Sequence, residues 1–376
     1  MESVVRDPGR SGRLPLMDGC RGMAALFVMV RHTDDFWPFD LYRSYLAVDV
    51  FFLLSGFVIS RAYGNRLRAG ELSTARFMAI RLIRLYPMFL LSGLFAGAMF
   101  VAASVRHGQF GALSALSIVF TLFMLPFKLA GSILLFPLDG AYWSLFFEVI
   151  ANWFYARVVR LFAARAMAAL VGVAAVVLVV DALDRGDLNI GFSWGLVPIC
   201  GGLARAAFGI FLGAMLERHG ARSRLARAAR TQPWLALATM LLVLVSPSVG
   251  ALNGLADVLA VLVVFPVCVL ALDAPVANMP VARTLMLLGA ASYPLYVLHL
   301  PASAATMRVF YGGMATHALA IGVAFTLALV PLCIALERFV DEPVRRWLQK
   351  RLPAVGRRDA SAGAGAVVLA FEPSQE

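Results

Sequence analysis

Charge is what this sequence has least of. Only 15% of its 376 residues are Asp, Glu, Lys or Arg, against roughly 25% in ordinary globular chains. That is too little to wet the surface of a soluble domain, and it also removes a disordered chain, a coiled coil and a collagen-like rod. Cysteine is scarce too. Cys20, Cys200, Cys268 and Cys333 are far apart with no CxxC spacing, so neither a disulfide framework nor a zinc site is expected, and no metal. Lysine is nearly absent, with Lys128 and Lys350 alone against 31 arginines. Acidic residues number 22 against 33 basic ones, a formal charge of +11. What remains is apolar: 61% of residues are hydrophobic, with a mean hydropathy of +0.81. The bases lie in clusters between apolar stretches, which speaks for membrane topology and against a nucleic-acid partner. The composition predicts an integral membrane protein with the lipid bilayer as its solvent, and an oligomer is compatible with it.

A membrane helix needs about 20 mainly apolar residues. Ten stretches qualify, at 14–37, 45–62, 86–105, 141–162, 166–182, 193–216, 233–250, 254–272, 284–304 and 314–336. The expected fold is therefore an all-α polytopic membrane protein of about ten transmembrane helices. The first stretch reads as a retained helix, because Asp18 and Arg21 interrupt it and no small-residue cleavage site follows. Arg6, Arg10 and Arg13, then the clusters after spans two, four, six and ten, alternate with loops holding Asp34, Asp35, Asp40, Asp181, Asp184 and Asp187. The positive-inside rule then places both termini in the cytoplasm. Segment 110–137 is apolar but broken by Pro126, Lys128, Gly131 and Pro137, and one crossing there would invert every later basic loop. It is expected to be re-entrant or interfacial. One transmembrane domain, 1–352, precedes an Ala/Gly/Ser-rich tail, 353–376, expected to be disordered and cytoplasmic.

Ionisable groups inside apolar spans are costly and mark cavities or partners. In the first span the eleven-residue step from Arg21 to His32 is three helical turns with about 20° of drift, a rise of roughly 16 Å. Asp18 shares that face. Asp49 sits in VDVFFLLSGFVIS and needs a partner: a histidine, an arginine or a hydroxyl, a purely structural ion pair being nearly as good an account. Arg81 and Arg84 in RLIRLYP share a face and form a phosphate clamp or an ordinary lipid-headgroup anchor. Ser144 and Glu148, four apart, place a hydroxyl over a carboxylate. Ser292, Tyr293, Tyr296 and His299 suggest an aromatic pocket wall, although an interfacial belt explains Tyr293 equally well.

In order along the chain, LMDGCRGMAALFVMVRH with its Arg-x10-His spacing, VDVFFLLSGFVIS, RLIRLYP, WSLFFEVIANWFY, SYPLYVLH and ERFVDEP resemble the signatures of the membrane-bound acyltransferase 3 family, which contains bacterial O-antigen and exopolysaccharide O-acetylases. The resemblance covers about residues 14–346; Cys20 stands where a Leu is commoner. It implies transfer of an acyl group, expected to be acetyl, from acetyl-CoA (acyl-CoA as donor substrate, with no permanently bound cofactor) to a hydroxyl of a glycan or other cell-surface or secreted acceptor. It implies a multi-pass protein of the bacterial inner, or plasma, membrane. Some relatives carry a C-terminal SGNH-type esterase domain; this chain is expected to act without one in cis. On this reading Arg81 and Arg84, with Arg21, hold the CoA phosphates, and His32 is the general base or a transient acyl carrier. Asp49 or Glu148 orients His32, while Ser144, Tyr293 and Tyr296 bind the acceptor or the developing oxyanion. The alternative is a transporter or flippase of a polar or lipid-linked substrate. It lacks paired Gly/Pro-broken helices in corresponding halves of the chain.

Overall fold

A computed structural model describes residues 14–108, 110–161 and 164–352. The first thirteen residues, with Arg6, Arg10 and Arg13, and the tail 353–376 lie outside the described residues. Within them the chain is all-α. Its helices are α1 (Pro15–Arg31), α2 (Ala47–Ile59), α3 (Asn65–Arg68), α4 (Thr74–Arg106), α5 (Ala112–Leu122), α6 (Tyr142–Leu161), α7 (Ala164–Arg185) and α8 (Leu196–Arg218), followed by α9 (Arg224–Ala229), α10 (Pro233–Val245), α11 (Asn253–Leu259), α12 (Phe265–Leu272), α13 (Met279–Phe310), α14 (Met314–Leu336) and α15 (Glu342–Lys350). Single π-turns at Ser60–Gly64, Ala260–Val264 and Glu337–Asp341 fuse α2 to α3, α11 to α12 and α14 to α15.

Each of the ten expected spans coincides with a helix. Among the described residues seven helical runs are long and apolar enough to cross a membrane. The other three are α1, α6 and α10. The 17 residues of α1 include Asp18 and Arg21, and the 13 residues of α10 reach only about 20 Å at 1.5 Å per residue. Segment 110–137 does not cross: α5 has 11 residues, and the chain beyond it is irregular up to Tyr142 apart from one antiparallel bridge, Leu134 to Ser193. Two boundaries shift. The third span begins not at Tyr86–Pro87 but at Thr74, where the Ser73 side chain caps the helix by accepting from the Arg76 N–H, and Pro87 is carried inside it. Likewise α13 runs through Pro294 and Pro301. The Val297 carbonyl, which the Pro301 ring deprives of its helical donor, accepts from the Ser92 hydroxyl of α4.

Small residues set the closest approaches, as membrane helices with no hydrophobic drive between them require. Gly19 and Gly22 of α1 face Leu285 and Leu288 of α13, and Gly289 of α13 faces Asp18. A methyl on Gly56 of α2 would overlap the Ile210 carbonyl of α8; one on Gly213 of α8 would overlap the Leu53 carbonyl. Gly213→Leu is therefore expected to separate α2 from α8 and to cut the yield of folded, monodisperse protein in detergent severely; a wild-type yield and melting temperature would refute this contact. The outer surface is apolar in stripes. Val173, Val176, Val180 and Leu183 of α7 are all more than half exposed at helical spacing, an apolar face suited to lipid.

Two buried ion networks hold α2 and the connection before it. Arg205 of α8 is 1% exposed. It donates from Nε to Asp49 Oδ1 at 3.0 Å and from Nη2 to Asp49 Oδ2 at 2.6 Å. Its remaining donors reach the carbonyls of Ile190 at 2.8 Å and Tyr45 at 2.9 Å. Arg43 donates to Asp257 at 3.1 Å, to Asn253 at 2.7 Å and to Ser246 at 2.9 Å, while the Tyr45 hydroxyl donates to the other Asp257 oxygen at 2.6 Å. Every charge in these networks has a partner, the condition for keeping ions in so apolar an interior.

Candidate functional site

Between α1, α2, α4, α6 and α13 lies a partly open cleft, with about 820 Å³ of space counting the solvent at its mouth. Its walls bring together Arg21, Arg81, Arg84, Ser144, Glu148, Tyr293 and Tyr296, with Ser55 and Ser292. Seven of the nine residues given a catalytic or binding role from the sequence thus share one cavity, though they come from four helices and span nearly 280 positions of chain. The two that do not are His32 and Asp49.

The charges in the cleft are unequally engaged. Arg81 donates to Glu148 at 2.7 Å, and the Ser55 hydroxyl donates to the same oxygen at 2.8 Å. Arg84 is held more loosely, 3.4 Å from Asp341, with its guanidinium 5.6 Å from the Tyr293 ring centre. Asp341 is fully buried and also faces Arg345 at 3.3 Å, while Arg345 pairs with Glu337. The terminal ERFVDEP segment therefore braces Arg84 through Asp341, on the π-turn between α14 and α15. Among the described residues Arg21 forms no hydrogen bond or ion pair, and it lines the cleft. Three cations against Glu148 leave the lining positive, within a wall of Val48, Phe51, Phe52 and Leu54. Such a lining attracts negative charge.

The far wall is a hydroxyl cluster. The Ser144 and Tyr296 hydroxyls lie 2.6 Å apart and 3.2 and 3.1 Å from the Ala141 carbonyl, so one donates to the carbonyl and the other to its neighbour hydroxyl. Asp139 positions that carbonyl. Its Oδ1 accepts from the Ala141 N–H at 2.8 Å, the pattern of a helix N-terminal cap. Burial pushes the Asp139 carboxyl up to about 8, and its Oδ2 has no partner among the described residues. Asp139 lies in the connection before α6 and carries no sequence signal beyond its place just ahead of an apolar run.

His32, at the end of α1 and half-buried, meets neither Asp49 nor Glu148. Its Nδ1 lies 2.8 Å from Nε2 of His299 on α13, which is fully buried. The Tyr296 ring, on the cleft wall, is 6.1 Å from the His299 ring, so His299 links the hydroxyl cluster to His32. The expectation that Asp49 orients His32 is corrected: Asp49 is consumed by Arg205. Glu148 is likewise turned toward Arg81 and Ser55. Sequence reading missed Arg205, because an arginine inside GLARAAFGIF looks like an isolated charge until the fold sets it against Asp49. It placed His299 in an aromatic pocket wall; only tertiary packing brings it to hydrogen-bond distance of a residue 267 positions away.

Residues 15–338 match a family described as an acyltransferase domain. The chain is also 38% identical over 184 residues to "Protein 2 in picA locus" of Rhizobium radiobacter, a stretch that covers 46% of this chain and 96% of that protein. No solved structure matches it.

Proposed function

The chain belongs to this acyltransferase family, and from that premise we propose that it moves an acyl group, acetyl by preference, from acyl-CoA to a hydroxyl on a glycan or other surface or secreted acceptor. Acyltransferase membership replaces the transporter alternative. The observation that carries the reading is the positive cleft, in which Arg21 forms no hydrogen bond or ion pair among the described residues and Arg84 only a long one, beside a hydroxyl cluster whose Tyr296 packs against a paired histidine. A CoA diphosphate suits two guanidiniums in an apolar wall, where charge-assisted bonds are strong. Arg21 and Arg84 are assigned that role; Arg81, neutralised by Glu148, shapes the cleft between them.

The protein sits in the inner membrane with both termini cytoplasmic, so the donor enters from the cytoplasmic face, where the basic loops lie. The thioester extends toward Ser144 and Tyr296, whose mutual hydrogen bond has to open for it to reach His32. His32 then acts as general base. The acceptor O–H bond breaks as a proton passes to His32, the oxygen bonds to the acyl carbon, and the C–S bond breaks. The imidazolium returns the proton to the CoA thiolate, leaving ester and free thiol. Ser144 or Tyr296 donates to the oxyanion formed on the way.

Arg21→Ala and Arg84→Ala are expected to weaken binding of labelled acetyl-CoA to the purified protein about 10- to 100-fold each, the equivalent of one or two charged hydrogen bonds. Unchanged affinity in both variants would remove the phosphate clamp.

A further inference from the structure

The histidine pair has a defined direction. His299 Nδ1 lies 3.2 Å from the Leu295 carbonyl, which can only accept. A bare Nδ1 there would set two acceptors face to face, so Nδ1 carries the proton and donates. A neutral imidazole with its proton on Nδ1 has a bare Nε2. That Nε2 is the atom 2.8 Å from His32 Nδ1, so the hydrogen between the rings belongs to His32. The rings are suited to it: their planes differ by 6° and their centres are 5.0 Å apart. With nitrogens so close, that spacing puts them edge to edge in nearly one plane, where an imidazole lone pair points.

We propose that His299 is a positioning residue that fixes His32 as the Nδ1–H tautomer, leaving His32 Nε2 as the bare nitrogen that takes the acceptor proton. The chain runs from His32 Nδ1–H to His299 Nε2, and from His299 Nδ1–H to the Leu295 carbonyl. It does for His32 what a carboxylate does in a hydrolytic triad, holding ring orientation and tautomer, but with a neutral partner. When His32 Nε2 accepts a proton, Nδ1–H stays bonded to His299 and the bond becomes charge-assisted. No bond is made or broken to His299. Arg31, the other charge beside His32 in sequence, is turned away: it donates to the Tyr42 carbonyl at 2.8 Å and its guanidinium lies 5.1 Å from the Tyr45 ring centre.

The kinetic part of this inference rests on the acyl-transfer reading above; the tautomer part does not. Nitrogen-15 NMR of histidine-labelled, full-length protein in lipid nanodiscs, assigned by comparison with His32→Ala, should show His32 with a protonated Nδ1 and a bare Nε2. The opposite tautomer would overturn the proposal whatever the protein catalyses. In acceptor-dependent release of CoA thiol, His299→Phe should lower kcat about 10²-fold or more with KM for acetyl-CoA unchanged. His299→Gln, which can set a carbonyl oxygen where Nε2 stood, should stay within about tenfold of the parent. In the His32→Ala background His299→Phe should cost nothing further, since the two act as one unit. Equal losses in the Gln and Phe variants, or additive losses with His32→Ala, would make His299 a packing residue only.

Discussion

His32→Ala is expected to lower acyl transfer by about 10²- to 10⁴-fold, the usual contribution of a positioned general base, while acetyl-CoA still binds with parental affinity. The split follows from the geometry. His32 is not among the residues lining the cleft, whereas Arg21 and Arg84 are. Removing the imidazole should therefore empty the reaction step and leave the donor site intact. The variant is expected to insert and fold, because His32 ends α1 and is half-buried, and among the described residues its side chain hydrogen-bonds only to His299. Measuring CoA release with acceptor present, beside equilibrium binding of the donor, separates the two steps. Parental turnover in His32→Ala would remove the base from the mechanism altogether.

Arg205→Met should be the most damaging of the changes outside the cleft. It strips Asp49 of both charged donors and leaves a buried carboxylate uncompensated, and breaking such a pair from one side costs about 3–5 kcal/mol. The Ile190 and Tyr45 carbonyls lose their donors at the same time. Asp49→Leu should cost a similar amount by leaving the guanidinium uncompensated. The double variant should recover much of the loss, because two apolar side chains of similar bulk need no partners. Melting temperatures of the two single variants and the pair in one detergent test this. If either single variant matched the parent, the pair would not be the clamp that ties α2 to α8.

Asp49 also shows how the cleft is kept free for chemistry. The apolar interior holds several carboxylates, and the fold commits Asp49 to Arg205, Glu148 to Arg81 and Asp257 to Arg43. Such pairing leaves Arg21 as a cleft cation with no hydrogen bond or ion pair among the described residues, although the charges of Asp18 and Glu148 act on it. An anion entering the cleft meets charge that has already been brought into low dielectric during folding, so little reorganisation remains on binding.

Composition and period alone settled the solvent and the architecture. A chain 61% apolar, cut into stretches of bilayer length with arginines between them, has no stable form but membrane helices, because lipid offers backbone groups no partner outside the helix. The failure of 110–137 to cross was equally legible in its prolines and glycine, and the helical arithmetic that put Arg21 and His32 on one stripe is a property of the backbone. Which charges meet was not. Asp49 could face a histidine, an arginine or a hydroxyl with equal merit until α8 was laid against α2 through Gly56 and Gly213, and then Arg205 took it. The pairing of His32 with His299, across 267 residues, belongs to the same class: periodicity fixes the direction of a side chain on its own helix, and only the packing of two helices decides what that side chain finds.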